Sequence, residues 1–287
     1  MKRNHGRRCA RSVSRAVAVT APVALVILAG CGGGSDKKWW NPDKSEAPKS
    51  SIRVDGQSTT VAGVDGKVDV LLISHASADL SSMSGVMGRM KTDELKQAAP
   101  GAYVGFGDRL SLLSGTVADL SGDGSYAIGK WTDGSDSSGA TYNRNQARFW
   151  AVGQPVDVEL KAGAVMRCTL ASKTQLAAAD GNTAPGTLFD ASAEIHRVSE
   201  KESAEMTLSL RYSIGQDQQT VKLTSIPGGY TSRHREESRN GEHRSERYAV
   251  ASRFIGRDPL RPHLATSYTL HSPTAGVISG MAVLSCS

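Results

Sequence analysis

The chain has 287 residues, of which 39% are hydrophobic, enough to bury the core of one large domain or two small ones. Its formal net charge is +6, but six of its 34 lysines and arginines lie among the first thirty residues, which contain no acidic residue. The rest of the chain therefore carries as many acidic as basic residues. Because nucleic-acid binding needs a basic stripe on the folded domain, this balance argues against a nucleic-acid partner.

The first thirty residues are typical of a bacterial export signal. A basic segment precedes an apolar run, Ala16 to Leu28, which is shorter than the roughly 20 residues that a membrane-spanning helix needs. The run ends in Leu28-Ala29-Gly30-Cys31, which matches the bacterial lipobox. The sequence thus predicts a signal at residues 1–30 and a membrane anchor of acyl chains on Cys31. The alternative is an ordinary signal peptide in which Cys31 is incidental.

Residues 31–51 have the composition of a flexible tether, rich in glycine, serine, proline and charge. Gly32 follows the cysteine, in the position where an aspartate retains many lipoproteins in the inner membrane. We therefore expect a lipid-anchored protein of the outer membrane. Trp39 and Trp40 are the apolar exception, and they fit a contact with the lipid interface, a contact with the domain, or a semi-ordered linker.

Residues 52–108 predict a small region of mixed β and α structure. Strand-like runs occur at Thr59–Val64 and Val68–Ser74, with turn signals beside them. Lys91–Ala99 predicts one short helix that begins near Thr92.

Residues 109–287 predict an antiparallel β-barrel domain of about eight strands, so that the fold class is mostly β. The clearest segment is Ala204–Tyr212, where apolar and polar residues alternate with the period of two that a half-buried strand requires. Phe189, Ala191, Ala193 and Ile195 alternate in the same way. A sandwich or a closed barrel fits such strands, and closure removes exposed edges. A membrane-spanning barrel fits poorly, because the strands lack an apolar band and aromatic residues are only 5% of the chain.

Two cysteines, Cys168 and Cys286, remain after Cys9 and Cys31 are assigned to the signal and the anchor. Both lie in apolar, strand-like runs of an exported chain, where the compartment favours oxidation. We predict a disulfide between them; two buried free thiols are the alternative.

Several short segments of the barrel domain resemble the lipoprotein barrels of the transferrin-binding protein B and factor H-binding protein group. In the order of that family, they are Gly129-Lys130-Trp131, Trp150-Ala151-Val152-Gly153, Pro185-Gly186-Thr187-Leu188, Phe254-Ile255-Gly256 and Ile278-Ser279-Gly280-Met281-Ala282-Val283. The resemblance implies an eight-stranded barrel filled by side chains, displayed outside the outer membrane, that binds a protein through its loops.

The chain departs from that family in two respects. It is expected to hold one barrel rather than the paired lobes of the transferrin binders, so transferrin itself is not inferred. It also has Arg257-Asp258-Pro259-Leu260-Arg261-Pro262 where the family favours small residues. No ligand-contacting residue of the family can therefore be transferred to this chain.

The sequence contains no convincing catalytic motif, and we expect a non-enzymatic protein without cofactor or metal. Ser35 and Lys38 have the S-x-x-K spacing of serine acyl enzymes, but they lie in the tether without its companion motifs. The segment Asp119–Gly124 has the spacing that opens a calcium loop. Lys130, however, occupies the position where a bidentate glutamate closes the cage, so a hairpin turn is favoured.

The segment Ser232–Arg247 is the most distinctive surface feature, with five arginines, four glutamates and two histidines around Asn240-Gly241. It predicts either a solvated hairpin whose opposite charges screen each other, or a recognition loop, since loops often carry function and arginine suits carboxylate or sulfate groups. The candidate recognition residues are Arg233, His234, Arg235, Arg239, His243, Arg244 and Arg247.

These observations together favour a surface-exposed lipoprotein that is anchored to the membrane by acyl chains and binds a protein or a glycan. A structural lipoprotein facing the periplasm is the alternative. A barrel carrying a small apolar ligand or haem is a third, weaker one. The sequence leaves the oligomeric state open.

Overall fold

The computed structural model describes residues 51–73, 85–239 and 242–287, all of which belong to one compact unit. This part of the chain is almost entirely β, in two curled sheets that form half-barrels, which confirms the predicted fold class. Residues 1–50, including Cys31, lie outside the described residues. Within the described ranges, no helix is long and apolar enough to cross a membrane.

The first half-barrel comprises nine strands between residues 52 and 153. They are β1 (Ile52–Val54), β2 (Lys67–Ile73), β3 (Gly85–Lys91), β4 (Leu95–Ala99), β5 (Ala102–Phe106), β6 (Leu110–Gly122), β7 (Tyr126–Asp136), β8 (Thr141–Tyr142) and β9 (Arg148–Gly153). Their order across the sheet is β3-β2-β9-β7-β6-β5-β4. β8 pairs with β7, and β1 pairs with β6 in the one parallel ladder among the described strands.

The second half-barrel comprises the nine strands between residues 165 and 286. They are β10 (Val165–Lys173), β11 (Ala177–Ala178), β12 (Thr187–His196), β13 (Glu205–Ile214), β14 (Asp217–Ser225), β15 (Tyr230–Arg239), β16 (Glu242–Ile255), β17 (His263–Ser272) and β18 (Gly276–Cys286). Eight of them follow the order β14-β13-β12-β10-β18-β17-β16-β15, and β11 pairs with β18. β14 and β15 are therefore the two edges of this sheet.

The predicted alternation holds along β13, where Met206, Leu208, Leu210 and Tyr212 are buried. It is wrong at Phe189 in β12, which is 42% exposed although Ala191, Ala193 and Ile195 are buried. The ladder between β12 and β13 shifts register between Leu188 and Asp190. Such a bulge inserts one residue and reverses the faces, so Leu188 takes the inward position instead.

The N-terminal predictions need correction. The predicted helix at Lys91–Ala99 is a 3₁₀ turn, Thr92–Glu94, followed by β4, because Leu95–Ala99 pairs with β5. The predicted strand at Thr59–Val64 forms no ladder, and its backbone groups bond to scattered partners, such as the Tyr103 hydroxyl that accepts from Val61 N at 3.1 Å.

The domain organisation also differs from the expectation of one barrel. The division at residues 108/109 falls between β5 and β6, which pair with each other in the first sheet. The chain changes sheet instead between β9 and β10. The structure thus contains two half-barrels where the sequence predicted a small region and one barrel.

Each half-barrel has its own hydrophobic core. Trp131, Trp150, Tyr103 and Phe106 fill the first with aromatic rings, whereas the core of the second is mainly aliphatic. A third cluster lies between the sheets, where residues such as Ile128 and Phe149 of the first face residues such as Met281 of the second. The two half-barrels therefore pack on each other through a cluster of buried apolar side chains.

Polar groups also cross this junction. Asp69 of β2 is 2% exposed, and its carboxylate accepts hydrogen bonds from Arg253 of β16 at 2.9 Å and from Arg89 of β3 at 3.2 Å. The ring of His263 at the start of β17 packs against that of Tyr126 of β7, with centroids 4.8 Å apart and the ring planes tilted by 48°. Burial lowers the pKa of His263, an effect that the nearby Asp123 carboxylate partly offsets.

Candidate binding surface

The charged segment 232–247 forms the outer part of a long hairpin between β15 and β16. Their ladder runs from Tyr230 opposite Ala251 to Arg239 opposite Glu242. β17, however, pairs with β16 only between Tyr248 and Ile255. The outer residues, His234–Arg239 and Glu242–Arg247, therefore form a two-stranded ribbon beyond the third strand, here called the charged ribbon. At about 3.3 Å per residue, its six pairs extend about 20 Å.

The ladder places opposite charges directly across the charged ribbon. Arg235 lies opposite Glu246, Glu237 opposite Arg244, and Arg239 opposite Glu242. Opposite charges at such positions stabilise an antiparallel pair, and like charges destabilise it. Because residues of a strand alternate between its faces, these three pairs share one face of the ribbon, which is charge-balanced.

The other face of the charged ribbon has a different composition. Its pairs are His234 with Arg247, Glu236 with Ser245, and Ser238 with His243. Two histidines and one arginine thus share this face with a single acidic residue. Arg247 is exposed, and the side chains of residues 233–246 lie outside the described part of the structure. The two interpretations of the segment, screening and recognition, fit different faces of one ribbon.

The base of the hairpin is tied to the end of β14. The Tyr248 hydroxyl accepts from Thr224 N at 3.1 Å and donates to Thr224 O at 2.9 Å. The Ser252 hydroxyl accepts from Gly228 N at 3.0 Å and donates to Ile226 O at 3.3 Å. These bonds close one end of the seam between the edges of the second sheet, and they fix the direction in which the ribbon leaves it.

The strand β16 connects the charged ribbon to the junction of the half-barrels. Its outer residues belong to the ribbon, whereas Arg253, near its other end, binds the buried Asp69 of the first half-barrel. A strand paired on both sides over Tyr248–Ala251 joins the two ends. The ribbon thus stands on a rigid support, as a recognition element requires.

Cys168 and Cys286 form a disulfide, as predicted. They lie directly opposite each other on β10 and β18, and both are buried in the core of the second half-barrel. The bond joins positions 118 residues apart, so it encloses almost the whole of this half-barrel.

The segment with calcium-loop spacing is the end of β6 and the start of the hairpin turn into β7, in agreement with the turn that the sequence favoured. The Asp123 carboxylate accepts from Ser125 N at 2.8 Å and from Tyr126 N at 3.3 Å, which closes the turn. The Asp119 carboxylate forms an ion pair with the buried Lys130 at 2.9 Å. Among the described residues, no group of three or more His, Cys, Asp or Glu is placed to hold a metal ion.

Sequence reasoning missed the residues that support the charged ribbon. The partner of Tyr248 is 24 positions away and that of Arg253 is 184 away, and no local pattern marks either contact. The pairing of Cys168 with Cys286 could be predicted, because these are the two cysteines that remain once Cys9 and Cys31 are assigned.

Comparisons with protein-family models, with curated proteins and with solved structures found no match to this chain. Function is therefore inferred from the site itself.

Proposed function

We propose that this chain is a lipoprotein, anchored to the outer membrane through Cys31 and exposed at the cell surface, that binds a protein or a glycan without catalysis. Its binding element is the face of the charged ribbon that carries His234, His243 and Arg247. The resemblance to the transferrin-binding protein B and factor H-binding protein group belongs to this proposal. One observation carries the proposal: the ribbon extends beyond the half-barrel, and the strand β16 at its base is paired on both sides.

The charge arrangement supports binding at one face. On one face of the ribbon, the ladder places a residue of opposite charge across from each charged residue, so the other face is the better candidate for binding. The opposite face has more basic than acidic residues, and arginine forms bidentate contacts with carboxylate and sulfate groups. A ligand with such anionic groups is therefore the best complement.

The experiment that tests binding compares two sets of substitutions in the full chain. His234→Ser, His243→Ser and Arg247→Ser together remove the proposed face, and loss of ligand capture from host or environmental fluids is expected. The control exchanges Arg235→Glu with Glu246→Arg, which keeps the opposite-charge pair and should retain capture. Equal capture by both variants would eliminate the ribbon as the binding element.

The experiment that tests the location is protease shaving of intact cells, followed by detection of residues 230–250. Loss of this epitope, with a periplasmic control untouched, supports surface exposure. Protection until the outer membrane is opened would contradict it and would direct the search to periplasmic partners. Globomycin-type inhibition of lipoprotein processing, which should leave the signal attached, tests the anchor on Cys31 separately.

A further inference from the structure

The strand β14 presents an open edge beside the charged ribbon. The N–H and C=O groups of Thr224 point away from β13, since both bond to the Tyr248 hydroxyl. Backbone groups alternate in direction along a strand, so those of Lys222 and Thr220 point the same way. Within the described ranges, neither residue has a neighbouring strand on that side. An unpaired edge of this kind is a template for a further strand.

A cleft runs along this edge. Residues Thr220–Leu223 form one wall, and Arg247, Tyr248, Leu270 and His271 form the other. Its volume is about 380 Å³. Leu223, Tyr248 and Leu270 are buried and belong to the core of the second half-barrel, so the bottom of the cleft is apolar.

The rim of the cleft is basic. Lys222 and His271 are exposed, and Arg247 lies on the same wall as His271. Among the side chains that the structure describes, none that lines the cleft is acidic. An occupant with carboxylates would therefore be attracted, and one with ammonium groups repelled.

We propose that this cleft binds an extended, acidic segment of a protein partner, which adds to β14 as a further strand. Main-chain bonds to Thr220 and Lys222 would supply affinity, and alternate side chains would contact the apolar floor and the basic rim. This site goes beyond the proposed function, because it requires neither the acyl anchor nor His234 and His243 of the charged ribbon; Arg247 is the one residue that it shares with the ribbon face. A sulfated glycan would complement the cations but could not continue the backbone ladder, so the edge favours a peptide.

The probe is an eight-residue peptide of alternating glutamate and valine, titrated into the full chain. Its lysine–valine counterpart is the control for charge. We expect saturable binding of the acidic peptide alone, with slowed amide exchange at Thr220 and Lys222. Lys222→Gln should weaken binding about threefold, since it removes one exposed positive charge from the rim.

Substitutions at Thr220 separate the backbone from the side chain. Thr220→Pro removes the outward N–H, which proline does without disruption at an edge, and should weaken binding about tenfold. Thr220→Val keeps this N–H and should bind within about twofold of the unchanged chain. The two folded variants should show the same far-ultraviolet circular dichroism.

A second measurement does not depend on the folding of any variant. Peptides methylated at every glutamate amide or at every valine amide are compared on the unchanged chain. One of the two should lose binding, because only alternate amides face β14. Each of four results would overturn the proposal. The two methylated peptides could bind equally, the lysine peptide could bind as well as the acidic one, the acidic peptide could fail to bind, or the Thr220→Pro variant could bind it undiminished. A ribbon variant that keeps Arg247, with His234→Ser and His243→Ser alone, should still bind the peptide, so failure of the ribbon hypothesis is recognised separately.

Discussion

Removal of the disulfide tests how the second half-barrel is stabilised. The bond between Cys168 and Cys286 closes a loop of 118 residues. In the chain-entropy treatment, a loop of this size costs the unfolded chain about 5 kcal/mol of conformational freedom at 25 °C. We therefore expect the double substitution Cys168→Ala and Cys286→Ala to lower the free energy of unfolding by about 3–5 kcal/mol.

The assay uses the uneven distribution of tryptophan. Trp131 and Trp150 belong to the core of the first half-barrel, and the other two tryptophans are Trp39 and Trp40. With both of the latter changed to phenylalanine, fluorescence reports the first half-barrel, whereas far-ultraviolet circular dichroism reports both. Urea titrations followed by the two signals should show the larger change in circular dichroism when the disulfide is absent.

A matched control distinguishes the disulfide from the packing of its cysteines. A reductant should lower the stability of the unchanged chain but leave the double alanine variant unaffected. A loss below about 1 kcal/mol would refute the loop-entropy argument. Reaction of Cys168 and Cys286 with a thiol reagent in the denatured but unreduced chain would refute the bond itself.

Three further predictions concern the junction between the half-barrels. Asp69→Asn should cost about 2–3 kcal/mol of unfolding free energy, because it leaves the partly buried Arg253 guanidinium without its carboxylate partner. Asp133→Asn breaks an exposed pair and should cost less than about 1 kcal/mol. Because folding lowers the pKa of His263, the unfolded chain binds more protons than the folded chain below about pH 6.5, and the free energy of unfolding should fall on acidification through that pH. Urea titrations from about pH 7.5 to 5 should measure this slope, and His263→Gln should flatten it. Gly153→Ala directs a methyl group into a side chain across the junction and should cost about 1–3 kcal/mol by thermal unfolding, whereas Gly229→Ala meets only ordinary contacts and should stay within about 0.5 kcal/mol.

Local chemistry made part of this fold predictable from the sequence. The alternation of Ala204–Tyr212 predicts which residues of β13 are buried, because a strand has only two faces. The motif glycines also have a physical reason in the structure. A Cβ on Gly129 would approach the Trp150 ring to 2.5 Å, and one on Gly280 would approach the Tyr268 hydroxyl to 2.6 Å. These glycines mark close packing between neighbouring strands.

The parts that could not be predicted depend on pairing between distant segments. Leu95–Ala99 has helix-compatible residues but becomes a strand because β5 is beside it. The bulge at Phe189 is set by the register with β13, which the sequence of β12 alone does not contain. The open edge of β14 likewise follows from the order of strands, so the cleft beside it had no signal in the sequence.

The short parallel ladder of β1 has a mechanical consequence. Ile52–Val54 holds the start of the described chain to β6 through three residue pairs, and the exposed Arg53–Asp133 ion pair adds little. A force applied between this end and the tip of the charged ribbon would load β1 first, and its release would uncover the part of the first core on which Ile52 and Val54 pack. The released residues would lengthen the chain by about 10 Å, at about 3.3 Å per residue. β1 would extend under such a force before the other strands of the half-barrels separate.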